Sequence, residues 1–225
     1  MAIIIIVAIF GVVFLPSLWA KFILSKHNVE RAEIPGTGGE LAKHLITECG
    51  LDGVQLERTE LGDHYDPISK TVRLSPSNFD QKSLTTVTVA AHEVGHAIQD
   101  HLGYGPLQWR TRLVGFAYYA EKFGAIVLIA LPLITLLTRT PVTGVAMLLI
   151  GVSILLVPVL VHVVTLPVEF DASFNRALPI LDGRYVPDEE MPAARSILQA
   201  CALTYVAASL ATLLNVWRWI AILRR

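Results

Sequence analysis

The sequence predicts a mainly α membrane protein, with about four transmembrane helices and a small α+β region at one membrane face. Three observations carry this. The chain is 53% hydrophobic and only 16% charged, against about 25% charged for a soluble domain. Its apolar residues gather in long runs rather than spreading evenly. Most of the charge falls in one stretch, residues 25–120, where turn signals and alternation return. Low charge excludes a disordered chain. With 18 Lys plus Arg against 19 Asp plus Glu, the net charge of −1 gives no basic excess for nucleic acid. Cys49 and Cys201 are too few and too far apart for a disulfide scaffold or a zinc knuckle, and read as buried free thiols.

Residues 1–24 are nearly continuous apolar sequence up to Lys21. No basic segment precedes them, so they read as a first transmembrane helix rather than a cleaved signal peptide. Residues 121–168 hold two further runs, Phe123 to Thr138 and Pro141 to Val168, joined by a link of a few residues around Arg139. They read as a transmembrane hairpin. Residues 200–225 read as a fourth span, with Trp217 and Trp219 as interfacial anchors. Four spans put residues 25–120 and 169–199 on the same side. Lys21, Lys26, Arg31, Arg110, Arg112, Lys122, Arg176, Arg184 and Arg195 lie there, and the positive-inside rule makes that face cytoplasmic. Arg218, Arg224 and Arg225 pull the other way.

Within 25–120, Gly36-Thr37-Gly38-Gly39-Glu40 reads as a turn opening a helix from Glu40 to Cys49, capped by Thr37 or Gly38. No Gly-Lys-Ser/Thr follows, so the turn is not a phosphate loop. Val54 to Arg58 and Thr71 to Ser75 alternate as strands, and Asp63 to Pro67 reads as a turn between them. A small helix with a two- or three-stranded sheet is expected.

Ser83 to Gln99 reads as a helix containing His92-Glu93-Val94-Gly95-His96. Residues four apart on a helix lie about 40° apart, one turn on. Both imidazoles can then reach one Zn²⁺. Glu93, between them, is placed to take a proton from water that zinc has acidified, and to pass it to a leaving amine. The apolar residues Ala90, Ala91, Val94, Ala97 and Ile98 surround the motif. Two histidines and a glutamate among them need partners, and a metal supplies those.

A catalytic zinc takes three protein ligands. Gln99 and Leu102 stand where a third-histidine continuation of the motif needs glycine and histidine. His101 is off the ligand face, and Glu121 reads as an interfacial ion-pair partner of Lys122. Glu169 is the strongest candidate, a carboxylate among apolar residues in Leu166-Pro167-Val168-Glu169-Phe170. Ser173 and Arg176 share its helical face. Ser173 would orient a ligand, and Arg176 would hold an oxyanion or pair with Glu169. Asp171 points away on an ideal helix but stays a candidate for the supporting shell. His162 reads as a packing histidine.

Together these residues resemble the bacterial membrane zinc metallopeptidases of the YugP type, the neutral zinc metallopeptidase family 2. The likeness runs through Asp63-His64-Tyr65-Asp66-Pro67, Val72-Arg73-Leu74-Ser75, Ala91 to Gln99, Leu166 to Ser173, and Ala202 to Ala208. It implies a membrane-embedded zinc peptidase with its site at the membrane surface, in a zincin-like region. A more distant likeness is to HtpX and the CAAX prenyl proteases, where an aspartate follows the glutamate ligand by four residues; here that position is Ser173. By analogy, Thr71 to Ser75 would be an edge strand, and Val72, Arg73 and Leu74 would bind an extended substrate through the main chain.

The reading is therefore a zinc endopeptidase with one Zn²⁺ per chain, His92, His96 and Glu169 as ligands and Glu93 as base and acid. It would sit, multi-pass, in the bacterial inner membrane and act on membrane or membrane-proximal proteins; a regulatory partner stays open. Two alternatives remain. An intramembrane site-2-type protease would take its third ligand from Leu181-Asp182-Gly183, although Arg176, Arg184 and Asp188 crowd that segment. A non-enzymatic adaptor could keep a structural zinc, but would have no use for Glu93.

Overall fold

The computed structural model describes residues 2–138, 141–182 and 184–204. The chain forms helix α1 (Ala2–Lys26), helix α2 (Gly38–Glu48), strands β1 (Gln55–Arg58), β2 (His64–Asp66) and β3 (Thr71–Leu74), and helix α3 (Pro76–Asp80). Then come α4 (Leu84–His101), α5 (Gly105–Thr138) and α6 (Pro141–Phe170). A π-helical segment, Asp171–Ala177, continues α6 into the short helix α7 (Leu178–Leu181). Residues 191–204 are helical again and are labelled α8.

Local chemistry explains the boundaries nearest the site. Thr37 caps α2 in a capping box: its hydroxyl accepts from the Glu40 amide, and the Glu40 carboxylate accepts from the Thr37 amide. Gly38 is glycine for packing, since a Cβ there would stand 2.1 Å from the Asn78 carbonyl oxygen. Ser83 and Thr86 form a second box that starts α4. Every residue of α4 from Leu84 to Ala97 is buried, as expected of a helix enclosed on all sides. Thr85 and Thr86 turn their hydroxyls to the carbonyls of Leu24 and Gln81, which keeps these polar groups tolerable inside.

The sheet has the order β1-β3-β2, with β1 parallel and β2 antiparallel to β3. Val72 pairs with Leu56 on one side and Tyr65 on the other. Two expectations change here. Asp63 to Pro67 was expected to be a turn, yet His64–Asp66 is a strand. Three residues are too few to show alternation, and pairing with β3 makes the strand. More consequentially, β3 is the middle strand rather than an edge. One core unites the sheet with α2, α4, α7 and α8, through Leu45, Val72, Leu74, Val94, Leu181 and Ile197.

The four-span membrane architecture is not borne out. Among the described residues no helix is long and apolar enough to cross a membrane. Apolar runs identify residues that avoid water, and they do become helices α1, α5 and α6. Crossing a bilayer needs a helix that is both long and apolar, and no helix among the described residues meets both demands. In α5 the helix starts at Gly105 and takes up Arg110 and Arg112 before the apolar run begins. The multi-pass placement and the cytoplasmic face rested on the span count and are withdrawn with it. The link at Arg139 and most of the expected fourth span lie outside the described residues, as do the side chains of Glu121 and His162.

Candidate metal centre

Helix α4 supplies His92 and His96 from successive turns, and the end of α6 supplies Glu169. The ligand-capable atoms of the three lie within 4.8 Å of one another, and all three residues are buried. The Nε2 atoms of His92 and His96 each stand 3.3 Å from the same Glu169 oxygen, Oε2.

The other ring nitrogens settle the tautomers. Ser173 Oγ donates its proton to the Leu198 carbonyl on α8 (3.2 Å), so at 3.1 Å from His92 Nδ1 it must accept. The Gln99 amide nitrogen donates to two acceptors, the Val168 carbonyl and Asp171 Oδ2, each at 2.8 Å. Gln99 Oε1 therefore faces His96 Nδ1 at 3.0 Å and accepts from it. In their neutral form both histidines thus carry the proton on Nδ1 and turn the Nε2 lone pair towards the Glu169 carboxylate.

Two neutral imidazoles with lone pairs facing a carboxylate give Glu169 no hydrogen bond. Glu169 is 0% exposed, and neither of its oxygens has a hydrogen-bond partner. The nitrogen–oxygen approaches are convergence without a formed hydrogen bond. A buried carboxylate left this way is costly, and three inward-facing donors of N, N and O type suit a tetrahedral zinc. The residues fit the metal.

Burial opposes ionisation of Glu169; with the imidazoles of His96 and His92 protonated, their charge outweighs burial and holds the carboxyl well below the usual carboxylate range. Arg110, on α5, lies 3.5 Å from Glu169 Oε1 and adds a positive charge. Glu93 behaves oppositely. Burial, supported by the charges of Glu169 and Asp63 and opposed by His92 and Arg110, pushes its pKa up to about 7. Its Oε2 is buried without a hydrogen-bond partner.

Asp171 accepts from Gln99, Asn175 and Arg176. The wider i→i+5 winding of the π turn, Asp171–Ala177, sets Arg176, five residues on, over Asp171, where an α-helical register would separate them. Arg176 Nε lies 3.2 Å from Asp171 Oδ2, so the expected pairing of Arg176 with Glu169 is replaced by one with Asp171. Gly95 permits the contact of α4 with this turn, since a Cβ there would lie 2.8 Å from the Ala172 carbonyl oxygen.

Other expected residues fall elsewhere. Val72 and Leu74 are buried in the core and Arg73 pairs with Glu57 and Asp66. Val72 and Arg73 are paired on both sides, by β1 and β2, and have no free main-chain edge for a substrate; Leu74 pairs with Arg58 of β1. Asp182 is exposed, bridges to Val186 and is outside the cluster. His101 is exposed at the end of α4. Gln99 and Arg110 were not singled out from the sequence. Gln99 had a signal, because it stands one turn beyond His96 on the same helix; Arg110, 59 residues before Glu169 in the chain, had none.

A family described as "Putative neutral zinc metallopeptidase" matches residues 2–224. The chain is 33% identical over 214 residues to the "Putative membrane protease YugP" of Bacillus subtilis (strain 168), covering 92% of this chain and 91% of that protein. No solved structure matches. With the match spanning nearly the whole chain, and the His92–His96–Glu169 cluster inside it, the protein belongs to this neutral zinc metallopeptidase family.

Proposed function

We propose that the chain is a zinc-dependent endopeptidase, with His92, His96 and Glu169 holding one Zn²⁺ and Glu93 moving the proton. The observation that carries this is the buried Glu169 carboxylate, without a hydrogen bond and faced by two imidazole lone pairs. Bound zinc supplies a Lewis acid that lets water attack a peptide carbonyl near neutral pH. Glu93, whose Oε2 is buried without a hydrogen-bond partner, would take the attacking water's proton and hand it to the departing amine. A pKa near 7 suits both halves of that transfer. Ser173 and Gln99 hold the two imidazoles, and burial of the cluster keeps bulk water from competing.

Arg176 is held by Asp171 and is not assigned the oxyanion. An extended substrate would pair with an outer strand, β1 or β2, since β3 lies between them. Association with a lipid bilayer is part of the proposal. Its support is the name of the Bacillus subtilis relative and the large apolar residues exposed on α1 and α5, among them Leu18, Phe22, Phe116 and Phe123. The substrates would then be proteins at or near that surface.

The test is zinc per chain by elemental analysis in wild type and Glu169→Ala, with cleavage of a quenched-fluorescent peptide library by wild type and Glu93→Gln. One zinc in wild type, largely lost in Glu169→Ala, and hydrolysis lost in a Glu93→Gln protein that keeps its zinc are expected. Retained hydrolysis in Glu93→Gln would overturn the role of Glu93; zinc retained in Glu169→Ala would overturn the ligand set.

A further inference from the structure

We infer that Gln99 is a positioning residue for the metal: its amide fixes the His96 tautomer and ties that ligand to the turn that carries Glu169. The inference rests on the zinc reading above and assigns how two of its ligands are coupled.

Gln99 is 0% exposed, and its side-chain amide has three partners on two sides. On one side Oε1 accepts the Nδ1 proton of His96. On the other, Nε2 donates to the Val168 carbonyl, one residue before Glu169, and to Asp171, two residues after it. Gln99 therefore spans from one ligand to both flanks of another. Asp171 is in turn held by Asn175 and Arg176, so the anchor is itself fixed.

The amide is suited to this position for a chemical reason. A carboxylate at residue 99 would accept from His96 equally well. It would also put two carboxylates within hydrogen-bond distance, because Asp171 Oδ2 is 2.8 Å from the present nitrogen. It would leave the Val168 carbonyl facing an acceptor as well. A hydrocarbon at residue 99 would free His96 Nδ1 and let the proton move to Nε2, which then cannot ligate. Only a group that accepts at one end and donates twice at the other satisfies every partner. His92 reaches the same tautomer through the Ser173 hydroxyl and α8, so the two imidazoles are set by separate elements.

The test measures zinc affinity by chelator competition, with ¹⁵N spectra of the imidazoles in the zinc-free protein, for wild type, Gln99→Met, Gln99→Glu and Gln99→Glu/Asp171→Asn. Wild type shows His96 protonated on Nδ1. Gln99→Met weakens zinc binding about 10–100-fold and gives mixed His96 tautomers, while the His92 signals stay put. Gln99→Glu weakens it too, and adding Asp171→Asn restores at least part of the loss, because the asparagine can donate to the new carboxylate. This pair reads the coupling even if Gln99→Met does not fold. Zinc affinity within twofold of wild type in Gln99→Met, or no recovery in the double variant, would overturn the inference and leave the ligand set intact. A wild type that binds no zinc would overturn both.

Discussion

Gly95→Ala puts the close contact between α4 and the π turn to the test. The added Cβ would stand 2.8 Å from the Ala172 carbonyl oxygen and 3.4 Å from Arg176 Cβ. An ordinary carbon–oxygen contact begins near 3.4 Å, so the two elements must part by roughly 0.6 Å unless the backbone bends. The first obstacle is backbone, which cannot rotate away as a side chain would. Overpacking of this kind costs about 1–3 kcal/mol, which for a chain of this length lowers the melting temperature by roughly 2–12 °C. The metal would register the change as well. His92 and His96 ride on α4 and Glu169 precedes the turn that is pushed away, whereas zinc distances hold to about 0.2 Å. Zinc affinity should fall at least tenfold. Calorimetry with chelator competition, on wild type and variant in parallel, measures both quantities. A variant that melts with wild type and binds zinc equally well would refute the reasoning, because α4 and the π turn would then not be in limiting contact.

Glu93 gives a pH prediction for the zinc-free protein. Its folded pKa is raised from 4.5 to about 7, so between those values the folded state binds the proton more tightly than the unfolded chain. Stability contributed this way is present below the unfolded pKa and is lost as pH rises through 7. Glu93→Gln removes this loss. The variant should match wild type near pH 4 and exceed it at pH 8 by up to about 3 kcal/mol; parallel urea melts at the two pH values check it, and a constant difference would contradict it. Ser173→Ala removes the acceptor of His92 Nδ1 and the donor to the Leu198 carbonyl. A roughly tenfold loss of zinc affinity and about 1 kcal/mol of stability are expected in competition titrations and melts; unchanged affinity would show that His92 needs no orienting partner.

The site was legible in the sequence where it is local. His92, Glu93 and His96 follow from helix geometry, and Ser83 and Thr37 mark where α4 and α2 begin. Glu169 could be found because an acidic residue in an apolar setting needs a partner. The errors were of other kinds. Strand pattern located β1 and β3 but not their order, since pairing partners are chosen by packing rather than alternation. The assignment of Arg176 assumed an α-helical face, and the wider winding of residues 171–177 moved it to Asp171. Hydropathy located α1, α5 and α6 as helices but overstated what the described stretches can cross.

By itself the sequence located the candidate centre: two imidazoles one helical turn apart, a carboxylate beside them and a further acidic residue in apolar surroundings. Those features depend on residue type and backbone spacing, which are written along the chain. Tertiary structure alone decided who holds the ligands. Gln99 meets Asp171 across 72 positions and Ser173 meets His92 across 81. Such contacts exist only once α4 and the π turn pack at Gly95, and donors and acceptors choose partners from what packing brings within reach.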